Sequence, residues 1–102
     1  MDINIRNAVI VALTQALLGS ISNNFRAILI RTAKDLHIEF YIYQKLEEDM
    51  EEIEDIITEF DSLVMGIEAV AISYEVRVGT EKIDFSGEDI TPIYIRRRQN
   101  FL

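Results

Sequence analysis

The chain carries one histidine, His37, and no cysteine in 102 residues. Without a thiol, a disulfide scaffold, a cysteine nucleophile, an iron–sulfur cluster and thiolate-bound zinc are all excluded. A serine-type triad would have to be assembled around His37, and no G-x-S-x-G turn is present to present its nucleophile. H-E-x-x-H is absent, and the acidic run lacks the D-x-[DN]-x-[DN]-G order of a calcium loop. Neither a G-x-x-x-x-G-K-[ST] nor a G-x-G-x-x-G phosphate cradle occurs. The expectation is a protein that is not an enzyme, with no catalytic residues, metal or cofactor.

Charge is what the chain has in abundance. Eighteen Asp and Glu oppose ten Lys and Arg, a formal net charge of −8, so sequence-independent phosphate binding works against the average field and nucleic acid is a poor first partner. Residues 1–46 hold five basic and three acidic groups, whereas residues 47–102 hold five and fifteen. Nine carboxylates fall between Glu47 and Asp61, with no base among them. Such a face can simply be solvated and keep the protein soluble. It also costs self-repulsion that a cationic macromolecule relieves, which turns the cost into association rate and affinity. On this reading Glu47, Glu48, Glu51, Glu52, Asp55 and Glu59 contact a basic protein partner.

These groups need elements to position them. From Ile3 to Leu18, Ile5, Val9, Ala12, Leu13, Ala16 and Leu17 recur at three- and four-residue steps, an amphipathic helix with Gly19 as its left-handed stop. Its apolar stretch, Ala8 to Leu18, is too short to span a bilayer and has no convincing leader or cleavage site, so neither a membrane anchor nor a signal peptide is expected. Phe25–Ala33 and Leu36–Tyr43 are rich in β-branched and aromatic residues and read as a hairpin turning at Lys34–Asp35. In the second strand, Leu36, Ile38, Phe40 and Ile42 alternate with His37, Glu39, Tyr41 and Tyr43, predicting one buried and one wet face. The acidic run is a second helix, with Met50, Ile53, Ile57, Phe60 and Val64 on its apolar stripe and Gly66 as its cap. Glu68–Val78 alternates as a third strand. Gly79–Thr91 reads as a loop, and Pro92–Arg98 as a final strand.

The order α-β-β-α-β-β packs as a single α+β domain over residues 1–102. It forms a two-layer sandwich, a mainly antiparallel four-stranded sheet with both helices on one face. Strand order is not fixed by the sequence. The open sheet face then gathers His37, Glu39, Tyr41, Tyr43, Glu75, Arg77, Tyr94, Arg96 and Arg98. Stacking aromatics of this kind can bind RNA, but Glu39 and Glu75 sit among them, and Tyr and Arg also anchor protein interfaces. Tyr41 and Tyr43 are therefore assigned to the same protein partner as the acidic helix.

The run Gly19 to Ile28 after the first helix, the strand ending Phe40-Tyr41, the helix opening Glu47-Glu48-Asp49 and closing near Glu59-Phe60, and the strand from Pro92 to Arg97 together form a pattern. It resembles small bacterial immunity proteins of contact-dependent growth inhibition and related polymorphic toxin systems. Phe25 and Ile28 stand where Leu and Val are expected, conservative departures within the core. The resemblance implies a cytoplasmic antidote that binds one cognate toxin domain, often a basic nuclease, and blocks its active site or substrate path. It would bind no membrane or nucleic acid, as a monomer or weak homodimer. The alternatives are an RNA-binding module using the open sheet face and a small homodimeric assembly protein.

Overall fold

A computed structural model describes residues 2–32, 35–66 and 71–96. Helix α1 (Ile3–Leu17) starts where the Asp2 carboxylate accepts from the Asn4 N–H at 2.8 Å, satisfying one of the orphan amides of its first turn. It buries Val9, Ala12, Leu13, Ala16 and Leu17, and ends before Gly19, whose φ of +78° favours glycine. Strands β1 (Phe25–Arg31) and β2 (Leu36–Ile42) pair antiparallel. Residue 33, the expected end of the first strand, and residue 34 of the expected turn lie outside the described residues. Helix α2 (Glu47–Val64), strand β3 (Ile72–Val78) and strand β4 (Ile90–Ile95) complete the expected α-β-β-α-β-β order.

The sheet runs β3-β2-β1-β4. β4 joins β1 antiparallel, and β3 joins β2 parallel, Leu36 opposite Ile72 through Ile42 opposite Val78. A parallel neighbour needs a crossover of a dozen residues or more, and α2 supplies it. Both helices cover one face, where their apolar stripes meet Phe25, Ile28, Ile30, Leu36, Ile38, Phe40 and Ile42 in one cluster. The Phe40 ring meets Phe25 and Tyr74 edge-on, with centroids 6.5 and 6.2 Å away.

Several expectations are corrected. The second sheet face is not fully open: the segment between β3 and β4 returns across it, and Ile83 and Ile90 pack on buried Ala27, Leu29 and Tyr41. The last strand begins at Ile90, two residues before Pro92, which an edge strand tolerates at an irregularity; the β1–β4 register shifts between Ile28 and Leu29, where Pro92 pairs. That shift turns Tyr94 to the helix side, opposite Ile28 and against the main core, rather than onto the open face. Arg98 and the start of the expected third strand, residues 68–70, lie outside the described residues. Met65 caps α2 in a right-handed conformation, and Gly66 does not adopt positive φ.

Candidate functional site

The apolar side of α2 settles which carboxylates face water. Ile53, Ile56, Phe60 and Val64 are buried, and so is Asp49, one turn before Ile53 on the same stripe. A carboxylate there must be hydrogen-bonded. Ser22 Oγ donates to its Oδ1 at 2.9 Å and Asn24 Nδ2 to its Oδ2 at 2.8 Å. Asp49 thus ties the α1–β1 turn to the first turn of α2, a structural role that composition alone hides but the stripe 49-53-56-60 reveals. The six predicted partner residues on this helix, Glu47, Glu48, Glu51, Glu52, Asp55 and Glu59, are all exposed, as are Glu54 and Asp61. Among the described residues none of the eight forms an ion pair with a cation. The first turn holds Glu47, Glu48 and Asp49, which the helix dipole favours, and the last turn holds no base.

Glu48, Glu51 and Glu52 border a depression with the turn Gly19–Ser22. On the other side of that turn, Leu17, Leu18, Ile21, Ile93 and Tyr94 line an apolar groove of about 300 Å³. Gly19 and Ile21 belong to both, so a strip of anionic surface adjoins a strip of apolar surface.

The opposite layer holds a polar network centred on one buried carboxylate. Glu39, with 1% of its side chain exposed, accepts from Arg31 Nε at 2.8 Å and from the Tyr41 hydroxyl at 3.4 Å, and Arg77 Nη2 stands 3.5 Å from its other side. Glu75 accepts from Arg77 at 3.1 Å and from His37 Nε2 at 3.0 Å, while His37 Nδ1 is hydrogen-bonded to the Ser73 hydroxyl at 2.7 Å. Hydrogen bonds from Arg77 and then His37 hold the Glu75 carboxyl below its ordinary range. Burial, reinforced by the Glu39 charge, pushes the Tyr41 hydroxyl above its ordinary value. Arg77 also lies over the Tyr41 ring, 5.7 Å from its centroid. A cavity of about 230 Å³ opens beside this network, walled by Arg26, Arg31, Arg77 and Lys82, with Arg26 donating to the Glu81 carbonyl across it.

His37, Glu39 and Glu75 offer one imidazole and two carboxylates within 4.8 Å of one another. A divalent cation would have to displace the Arg77 guanidinium that already bridges both carboxylates. Ser73, His37 and Glu75 form a hydrogen-bonded relay, but Ser73 sits within a strand rather than on a nucleophile turn, and Glu75 is shared with Arg77. Both groupings read as the polar support of a sheet face.

The predicted tyrosines divide from the carboxylates. Tyr41 is buried under the returning segment. Tyr43 is exposed, between the guanidiniums of Arg26 and Arg96, at 5.6 and 5.9 Å from its ring. Neither joins the α2 surface. Among the described residues, no helix is long and apolar enough to cross a membrane.

A family model described as MafI2 immunity protein matches residues 6–97. No curated protein matches the chain.

Proposed function

The chain belongs to the MafI2 immunity protein family, and from that premise we propose that it neutralises one cognate toxin domain by binding it in the cytoplasm, without catalysis. The toxin surface it meets is basic, as on a nuclease that must hold a phosphate backbone, and the antidote covers the active site or the path of the substrate. The observation that carries this reading is the α2 face, eight exposed carboxylates with no cationic partner among the described residues. In the free protein they repel one another; against Lys and Arg they gain both steering and contact energy.

Interfaces are built as an apolar centre with a polar rim. The groove between α1 and β4 supplies an apolar anchor beside Glu48, Glu51 and Glu52, so contact centres on the Gly19–Ser22 turn, and Glu47, Asp55 and Glu59 extend it along the helix. Tyr43 belongs to a second, smaller contact, and Tyr41 acts only by holding Arg77. The RNA reading loses ground, because Tyr41 is buried and Tyr94 faces the helices, which removes two of the rings a stacking sheet needs.

The test is inhibition of the purified toxin domain by the wild-type chain and by Glu51→Lys/Glu52→Lys/Asp55→Lys. The wild type should abolish toxin activity and the triple variant should need at least about a hundredfold more protein, the equivalent of roughly 2–3 kcal/mol of lost binding. Equal inhibition by both would remove α2 from the mechanism.

A further inference from the structure

β3 is an edge strand, and its outer side has no partner among the described residues. Its parallel register fixes where each peptide group points. The Leu36 N–H donates to the Ala71 carbonyl, and the Gly79 N–H donates to the Ile42 carbonyl. The N–H and C=O groups of Ser73, Glu75 and Arg77 therefore face β2, and those of Ile72, Tyr74, Val76 and Val78 face outward. Exposed edges are usually blunted by proline, a bulge or an inward charge. β3 has no proline, its pairing with β2 is unbroken from Ile72 to Val78, and Tyr74 and Val78 are exposed.

The charges on this edge are self-complementary. Glu75 and Arg77 lie two residues apart on one face. If two copies of β3 meet antiparallel about Val76, Val76 pairs with Val76 of the second copy, and Tyr74 pairs with Val78 in both directions. All of these residues point their peptide groups outward, as hydrogen-bonded pairs require. Glu75 then stands directly opposite Arg77, twice. Centring the pair on Glu75 or on Arg77 sets like charges face to face, which is destabilising; centring it on Tyr74 sets Glu75 against Ser73.

We propose that a second copy of this chain is the partner of the β3 edge, joined antiparallel with its two-fold axis at Val76, giving a continuous eight-stranded sheet. The interface is isologous and closes on itself as a dimer. It uses neither the α2 carboxylates nor the α1–β4 groove, so toxin binding and self-association are independent.

The absence of cysteine makes a single introduced thiol a direct probe of register. In Val76→Cys the two Cα atoms oppose one another at about 5.5 Å, within reach of a disulfide. In Val78→Cys they are roughly 13 Å apart, beyond it. Mild oxidation should lock Val76→Cys as a covalent dimer and leave Val78→Cys monomeric, while sedimentation of the wild type should show a monomer–dimer equilibrium that shifts with concentration. Val76→Pro removes an outward N–H together with a side chain packed on the main core and should sediment as a monomer; if it fails to fold, the cysteine pair decides. A wild-type chain that remains monomeric up to its solubility limit, or equal cross-linking by both cysteine variants, overturns the proposal.

Discussion

At the scale of single residues, two buried carboxylates hold the molecule together in different ways. Asp49 joins a turn to a helix through two neutral donors, and Glu39 is an ion-pair centre with Arg31 at 2.8 Å and Arg77 at 3.5 Å. Orphaning a buried charge is costly, and here Arg77 and Tyr41 remain after Arg31 is lost. Arg31→Met should therefore cost about 2–3 kcal/mol, below the usual range for a buried pair, measurable as a lower urea midpoint with unchanged slope. Tyr41 gives a pH signature. Its hydroxyl is raised by burial and by Glu39, so the folded state holds the proton more tightly than the unfolded chain. The stability this adds is complete below the unfolded value of about 10 and is lost as pH rises through the folded one. Absorbance titration of the tyrosines should show a late-ionising component that is lost in Tyr41→Phe. The sequence placed Glu39 and Tyr41 correctly on the non-helix face through strict alternation, yet read that face as wet. Period-2 patterning reports which side a residue faces, and a segment returning from elsewhere decides whether that side is covered.

At the scale of elements, α2 combines a stabilising apolar stripe with an acidic arc that opposes folding. Its first-turn acids complement the dipole, and Glu59 and Asp61 do not. Asp61→Lys should accordingly raise stability by roughly 0.3–1 kcal/mol in thermal or urea unfolding, more at low salt than at high. Both helices and strands β2 and β3 were legible from periodicity, because long amphipathic patterns survive tertiary context, whereas β1 was read from its β-branched and aromatic content. The end of α2 and the start of β4 were less so: Gly66 and Pro92 are strong local signals, but Met65 already closes the helix and an irregular edge strand accommodates proline inside it. The same irregularity moved Tyr94 to the helix side, a change of face that no alternation count detects.

At the scale of the whole molecule, charge is layered. The helix layer presents the α2 carboxylates, and the opposite sheet face carries Arg26, Arg31, Arg77 and Lys82, with Arg31 and Arg77 paired to Glu39 and Glu75. From its sequence the acidic run is expected to meet a partner, and each of the six residues so assigned is exposed. The parallel placement of β3 was not legible, since a helical crossover permits more than one strand order, and with it β3's place at the edge of the described sheet was hidden. Membership of the MafI2 immunity protein family makes a toxin the relevant ligand, and the geometry makes α2 the surface to watch. The most direct measurement is carbodiimide labelling of carboxylates in the free chain and in its complex with the toxin domain. Glu48, Glu51, Glu52 and Asp55 should label readily when free and be protected when bound; full labelling of these four in a saturated complex, with protection confined to the sheet face, would contradict the account.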